Sequence, residues 1–391
     1  MHIVIDCRFV QHSGIGRYLR EIVPRLVQEP LEASGTSPFG QGGNALCRYT
    51  LLASPHETDE NFMRACRQPQ VAFCQMSAPM YSIREQWELP RTVPPCDLFW
   101  AMHYNAPMLP LRARKRMVTI HDMAHLSFQE GMSLPQKLYA RLLMYTSTHF
   151  YDRILTDSRF SKEEILRHER IPADRVRVVH CGVDFARYHG QQEEGRLRAA
   201  REKYGLPEHY FLYVGNVKPN KNLRRLIQAY GAFRKSKEEG PGLVIVGKRE
   251  GFVNGIEGLD RLMEDACPPD TVRFTGYVEE DDLPCLYQGA EAFLFPSLYE
   301  GFGLPPLEAM ASGCPVLVSN AASLPEVCGD GAVYADPYDI DSMRRAMNQI
   351  LDGDRAALIS RGRAQARKFS WDRAAAQVRE ILSELAGTLQ M

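Results

Sequence analysis

The sequence predicts an α/β protein made of two doubly wound, Rossmann-like domains facing a central cleft. Three observations carry that expectation. At 391 residues the chain is long for one domain and comfortable for two. Short apolar runs bounded by turn residues alternate with stretches of helical apolar spacing, in two successive series. Between the series, Gly190 to Lys203 is polar and charged and reads as a helical connector. The expected division is 1–189, 190–370 and a final helical segment over 371–391.

The first series opens on Ile3-Val4-Ile5, a buried parallel strand ending at Asp6-Cys7-Arg8. It is too short for a signal peptide, and no basic segment precedes it. A loop, QHSGIGRY, leads to a helix from Tyr18 to Gln28 with apolar spacing at Leu19, Ile22, Val23 and Leu26. Gly14-Ile15-Gly16 in that loop is not a dinucleotide fingerprint. Its third glycine is missing, and no acidic residue closes the next strand, RYTLLA. Pro30 to Asn44, rich in Gly, Ser and Pro, is expected to be a flexible loop.

Strands follow at VAFC and DLFWA, the second running into His103-Tyr104-Asn105, where ligands meet a parallel sheet. The basic cluster LRARKR (111–116) is expected ahead of the next strand, as a solvated turn or a contact for anionic phospholipid or a lipid diphosphate. MVTI then ends at His121-Asp122. The H-D-x-x-H that runs on to His125 makes a poor zinc site, because its first His caps a β-branched strand instead of sharing a helix face with the second. That leaves His121 either bonded within the strand end or aimed from the sheet edge into the cleft. RLLMYTSTHFYD is helical and RILT a strand, and Ser161 with Glu164 is expected to form a capping box on the next helix.

In the second series YFLYVG leads into Gly215-Asn216-Val217-Lys218-Pro219-Asn220-Lys221-Asn222. A lysine just ahead of the helix LRRLIQAY is well placed for a diphosphate, since cation and helix dipole act on the same oxygens. LVIVGK, VRFTGYV and AFLF are the strands that follow. The most informative stretch runs from Ala292 to Glu326. AFLF gives way to a loop carrying Glu300-Gly301-Phe302-Gly303-Leu304, then a short helix started by Pro305 and Pro306, stopped by Gly313 and followed by the strand CPVLVS. Glu300 and Glu308 stand eight residues apart across that glycine loop. Read for function, they accept hydroxyls of a sugar nucleotide lying across the helix start, with Glu308 on the ribose and Glu300 on the sugar. The N–H groups near Phe302, Gly303 and Leu304 then meet the diphosphate. The plainer reading is one capping carboxylate and one solvated one.

Composition narrows the classes. Apolar residues make up 45% and charged residues 24%, as in ordinary soluble proteins. A net charge of −1 provides no global field for nucleic acid. Ten cysteines without a C-x-x-C suit reduced thiols in a cytosolic protein, soluble or at most peripheral on the inner face of a membrane. No apolar run approaches the ~20 residues of a membrane span.

The E-x7-E stretch closely resembles the signature of retaining family 4 glycosyltransferases, which have the GT-B fold. Other pieces are similar to that family: SGIGRY, TIHD, and GNVKPNKN for its G-R-x-x-x-x-K loop, with Asn216 where the family has arginine. The resemblance implies a hexose moved from a nucleotide diphosphate sugar to a glycan or lipid-linked hydroxyl. It places His121 near the reaction centre, Glu300 and Lys221 in catalysis, and Asp122 as a brace on the acceptor side with His103, Tyr104 and Asn105. Gly14, Gly16, Asn216, Lys218, Lys221, Tyr277, Val278, Glu300, Gly301, Phe302, Gly303, Leu304 and Glu308 fall on the donor. Tyr277 and Val278 belong to a segment whose backbone meets the nucleobase. No D-x-D stands at a plausible strand end, so no metal and no cofactor are expected, and Lys221, Lys218 and helix N-termini neutralise the diphosphate. YSxREQ with HYNxP is similar to polysaccharide mannosyltransferases, which favours GDP-mannose or a related GDP-deoxyhexose over UDP-glucose or UDP-N-acetylglucosamine. In GT-B enzymes the last helix crosses back to the first domain. The alternatives are a UDP-sugar-dependent transferase, a sugar-nucleotide epimerase and a non-catalytic nucleotide-sugar-binding protein.

Overall fold

The structure is a computed structural model that describes residues 1–29, 31, 47–55, 59–127, 133–190, 192–237, 239–247 and 258–387, without the side chains of Ser13, His125 and Ser127. Apart from Leu31, the expected flexible loop from Pro30 to Asn44 lies outside the described residues. The chain divides into two compact units. One runs from the N-terminus to Cys181 and includes the C-terminal helix Trp371–Gly387; the other is built on Gly182–Ser370.

The first unit holds a seven-stranded parallel sheet: β1 (His2–Asp6), β2 (Arg48–Ala53), β3 (Val71–Gln75), β4 (Cys96–Ala101), β5 (Ala113–Thr119), β6 (Arg153–Thr156) and β7 (Val176–Val178), in the order β3-β2-β1-β4-β5-β6-β7. Ile3, Val4 and Ile5 are all buried, so alternate side chains enter apolar layers on both faces, as crossover helices require of a parallel sheet. The C-terminal helix turns Ala375, Val378, Ile381, Leu382 and Leu385 inward and packs against the helix Ser13–Gln28. Trp371 lies edge-on to Tyr18, and Arg25 pairs with Asp372 at 2.7 Å.

Three local expectations for this unit are corrected. SGIGRY is not a loop, because the helix already begins at Ser13 and holds Gly14 and Gly16 in its first turn. A Cβ on Gly16 would stand 2.3 Å from the Val10 carbonyl oxygen, so that glycine lets the helix start press against the chain leaving β1. The cap of the helix Arg159–Glu169 is Ser158, whose hydroxyl accepts from the Ser161 N–H, and not a Ser161–Glu164 box. LRARKR is not ahead of a strand, since its last four residues form the start of β5. Lys115 there pairs with Asp152 at 3.0 Å, Arg114 approaches Asp97 at 3.6 Å, and Arg116 lies over the Tyr151 ring.

The second unit repeats the design with β8 (Tyr210–Val214), β9 (Gly242–Val246), β10 (Val272–Gly276), β11 (Ala292–Phe295), β12 (Val316–Ser319) and β13 (Ala332–Ala335), all parallel, in the order β10-β9-β8-β11-β12-β13. The helix Leu304–Ser312 takes its prolines in the first turn and ends on Gly313, which adopts φ 77° as a left-handed C-terminal glycine. The boundary falls at Cys181/Gly182, ahead of 189/190. The helix Phe185–His189 packs on Leu304–Ser312, and the Val183 N–H donates to the Phe369 carbonyl, both within the second unit.

Candidate functional site

Each sheet winds outward in both directions from one pair of central strands, β1 with β4 in the first unit and β8 with β11 in the second. In such sheets the loops leaving the carboxyl ends of that pair diverge and open a crevice for ligands. Arg8 and the His103-Tyr104-Asn105 triplet lie on those loops in the first unit, and Lys221 and Glu300 in the second.

In the second unit the loop after β8 is zipped to the loop after β11. The Leu298 N–H donates to Asn220 O at 2.7 Å, and Asn220 Nδ2 donates to Tyr299 O at 3.1 Å. Asn222 adopts φ 59° ahead of the helix Leu223–Lys235, and its Nδ2 donates to the carbonyls of Pro296 and Pro337. Asparagine tolerates that left-handed backbone and supplies the side-chain donor the corner needs. This scaffold brings Lys221 onto Glu300, with Nζ 2.7 Å from Oε1 and 2.9 Å from Oε2. The side chains are 18% and 12% exposed, so the pair is mostly desolvated yet open to a ligand.

The Ser323 hydroxyl donates to the Glu300 and Phe302 carbonyls and fixes the loop beyond Gly301. Gly303 has φ 116°, and a Cβ there would meet Leu324 at 2.9 Å, so only glycine fits. Pro305 and Pro306 have no N–H, which narrows the donors at this helix start to the backbone around Gly303 and Leu304. The Phe302 ring packs edge-on to Phe369. Glu308 is buried and accepts from the Tyr287 hydroxyl at 3.1 Å, one turn along the same helix. Asn216 and Lys218 share the β8 loop, the Lys218 N–H donating to Asn216 O at 3.0 Å. Tyr277 and Val278 follow β10, the edge strand of the sheet, two strands from β8. Tyr277 is 63% exposed and Val278 is buried.

In the first unit the His103-Tyr104-Asn105 triplet meets groups that sequence reasoning missed. Arg8 grips Asp6 through Nε at 2.8 Å and Nη2 at 2.6 Å, and Nη2 also donates to Glu85 at 2.6 Å. Asn105 Nδ2 donates to both Glu85 oxygens, at 3.1 and 3.0 Å, and the Tyr81 N–H donates to Oε2 at 2.7 Å. Asp6, Arg8, Glu85 and Asn105 are all buried. Burial raises the Glu85 pKa, against the lowering by Arg8 and the Asn105 amide. The N–H bond from Tyr81 holds that residue at φ 63°, a costly backbone for an aromatic, and its ring lies edge-on to His103 and Phe9. Tyr104 stacks obliquely on His103 with centroids 4.1 Å apart. The signal was present in YSIREQ, whose glutamate sits where a helix should face the core.

His121 leaves β5 with both ring nitrogens engaged: Nδ1 lies 2.7 Å from Asp157 Oδ2 and Nε2 lies 3.1 Å from the Met102 carbonyl. Both neighbours are acceptors, an arrangement that favours the doubly protonated, charged ring. Burial opposes that charge, but Asp157, Asp122 and the Met102 carbonyl together raise the pKa above its ordinary value. The ring is thus bonded at the strand end, on the carboxyl edge of the sheet. Asp122 accepts from the Ala124 N–H at 2.9 Å and so braces the same turn. The His125 side chain lies outside the description, and no cluster of three metal-ligating side chains occurs among the described residues.

A pH effect follows. A raised folded pKa stabilises the protein fully below the unfolded value near 6.5, and the contribution fades as pH rises through the folded value. Asp157→Asn is therefore expected to cost about 1.5–3 kcal/mol at pH 6, as for a charge-assisted hydrogen bond, and less at pH 9. Urea unfolding of both proteins at the two pH values checks it. An equal or larger cost at pH 9 would count against the imidazolium.

Both units can be set beside known proteins. Residues 12–187 match the family model described as Glycosyltransferase Family 4, and residues 193–368 match the one described as Glycosyl transferases group 1. The O-antigen chain mannosyltransferase B of Escherichia coli is 33% identical over 383 residues, 93% of this chain and 94% of that one. The O-antigen chain mannosyltransferase RfbU of Salmonella typhimurium is 30% identical over 248 residues, 63% of each chain. Among solved structures, a sucrose-phosphate synthase from Thermosynechococcus elongatus superposes with a TM-score of 0.73 at 18% identity, covering 99% of this chain and 100% of that one. WaaG, a glycosyltransferase involved in lipopolysaccharide biosynthesis, gives 0.70 at 15% identity, covering 97% and 99%. Paired Rossmann-like units with these matches define a glycosyltransferase of the GT-B class. The chain belongs to glycosyltransferase family 4.

Proposed function

We propose that the enzyme transfers mannose from GDP-mannose, with retention of configuration, to a hydroxyl of a glycan or lipid-linked oligosaccharide in cell-surface polysaccharide assembly. The Lys221–Glu300 pair on the crossed loops of β8 and β11 carries the reading. It sets a cation and a hydroxyl-accepting carboxylate side by side at a helix start, as a sugar diphosphate requires. Support for mannose and for the acceptor class comes from the names of the two O-antigen mannosyltransferases.

In this mechanism the acceptor oxygen bonds to the anomeric carbon on the face from which the diphosphate departs. The carbon–oxygen bond to phosphate breaks with its electron pair, and the departing phosphate oxygen takes the acceptor proton. Lys221, aided by Lys218, offsets the charge that grows on the diphosphate. Glu308, fixed by Tyr287, accepts from the ribose, and Glu300 from the sugar. On the acceptor side the proposal sets His103, Tyr104 and Asp122, with Asn105, held by Glu85, fixing the triplet. His121 acts as a fixed positive charge, its nitrogens committed to Asp157 and Met102. No metal or cofactor takes part. Among the described residues no helix is long and apolar enough to cross a membrane, and the proposed setting is peripheral, on the inner face.

Thermal melts with GDP-mannose, GDP, UDP-glucose, UDP-N-acetylglucosamine and NAD, each with and without EDTA, test the donor. A ligand at a hundred times its Kd adds about 2.7 kcal/mol, or roughly 5–10 °C for a unit of this size. The expected result is that shift for the GDP compounds alone, unchanged by EDTA. Stabilisation by UDP compounds only would discard mannose, and a response to NAD alone would overturn the site.

A further inference from the structure

The helix Leu134–His149 is apolar on two faces. Ala140, Leu143 and Met144 are buried against the first unit, as a surface helix should be. On the opposite side Leu134, Leu138, Leu142 and Tyr145 are 70%, 61%, 49% and 47% exposed. At ~100° per residue these four fall within an arc of about 80°, and they extend over about 17 Å of helix. Single exposed leucines are ordinary, but an aligned stripe is not. The helix carries Lys137 and Arg141 beside the stripe and no acidic residue along its length. Next to it, Tyr139 faces Gln86 of the helix Ile83–Thr92, which itself exposes Ile83 and Trp87 one turn apart.

We infer that this stripe docks the enzyme on an anionic phospholipid leaflet. A helix lying in the interface buries its apolar face in the headgroup–acyl boundary and keeps lysine and arginine at the charged surface. Trp87 and Tyr145 suit the same depth, with an apolar ring and a polar edge. LRARKR, the contact suggested by sequence, is a poorer candidate because Lys115, Arg114 and Arg116 already have partners inside the fold. The inference deepens the proposal of a lipid-linked acceptor by naming the surface that brings the enzyme to it.

Co-sedimentation of the full chain with phosphatidylglycerol-containing vesicles and with pure phosphatidylcholine vesicles tests it. The wild type is expected to pellet with the first, less so as salt rises, and to stay in solution with the second. Leu138→Glu with Leu142→Glu, at exposed positions, should lower the partition coefficient about tenfold or more while the melting curve holds. Lys137→Glu with Arg141→Glu should remove the preference for anionic lipid. Three outcomes would overturn the inference: no binding by the wild type, equal binding by the leucine variant, or a wild-type dimer that this variant splits without any vesicle binding. The assay needs no sugar nucleotide, so a wrong donor leaves it standing.

Discussion

Lys221→Ala is expected to lower kcat by about a hundred- to a thousandfold, the usual loss of about 2.7–4 kcal/mol when one group facing developing charge is removed. The ammonium sits at the start of the helix Leu223–Lys235, held 2.7 Å from Glu300 and 5.1 Å above the Phe295 ring, so few other places are open to it. The substitution also leaves Glu300 without its cation, and part of any effect could come from a disturbed loop. Lys221→Arg and Glu300→Gln separate the two. Arginine keeps the charge and should recover part of kcat, whereas the glutamine variant keeps the lysine and loses only the carboxylate. Glu308→Ala removes the acceptor for ribose and should raise the KM for donor. Near-normal turnover in both Lys221→Ala and Glu308→Ala, with unchanged melting curves, would sink the assignment of the donor site.

Arg8→Met is expected to be the most destabilising single change, at about 3–5 kcal/mol, the cost of breaking a buried ion pair from one side. It strands two carboxylates, Asp6 and Glu85, both within 2.6 Å of the lost guanidinium and both out of water. The loss would appear as a melting temperature lowered by roughly 6–20 °C for a unit of this size. Replacing all three residues by apolar ones of similar volume should recover much of the stability, because the desolvation cost disappears with the charges. It should not restore activity, since Asn105 and the Tyr81 backbone are both set by Glu85. A loss of under about 1 kcal/mol in Arg8→Met would mean the cluster is solvated, against its burial here.

The strands were legible because a parallel sheet covered on both faces writes itself as runs such as IVI, FLYV and AFLF. The helix Leu304–Ser312 was legible for a different reason, as prolines and glycine mark its two ends chemically. Partners were not legible. Arg8 meets Glu85 across 77 residues, and His121 meets Asp157 across 36, distances at which periodicity says only that a side chain is inside. Local backbone misled at Gly14 and Gly16, where two glycines suggested a loop; the need was a close approach to Val10 at Gly16 alone. At Ser161 the serine–glutamate spacing fitted a cap, but Ser158 three residues earlier took it, which freed the Ser161 hydroxyl to donate to the His121 carbonyl at 3.2 Å.

The strand order of β1–β6 matches that of β8–β13, so both sheets follow one winding. Arg8 and Lys221 both lie on the stretch leaving the first strand of their sheets, two and seven residues beyond its end. Each now faces a glutamate. The first sheet seals its cation, 1% exposed, beneath a helix as a structural fastener, while in the second the cation is 18% exposed. One station in the winding thus holds a domain together in the first sheet and, in the proposed function, faces a substrate in the second.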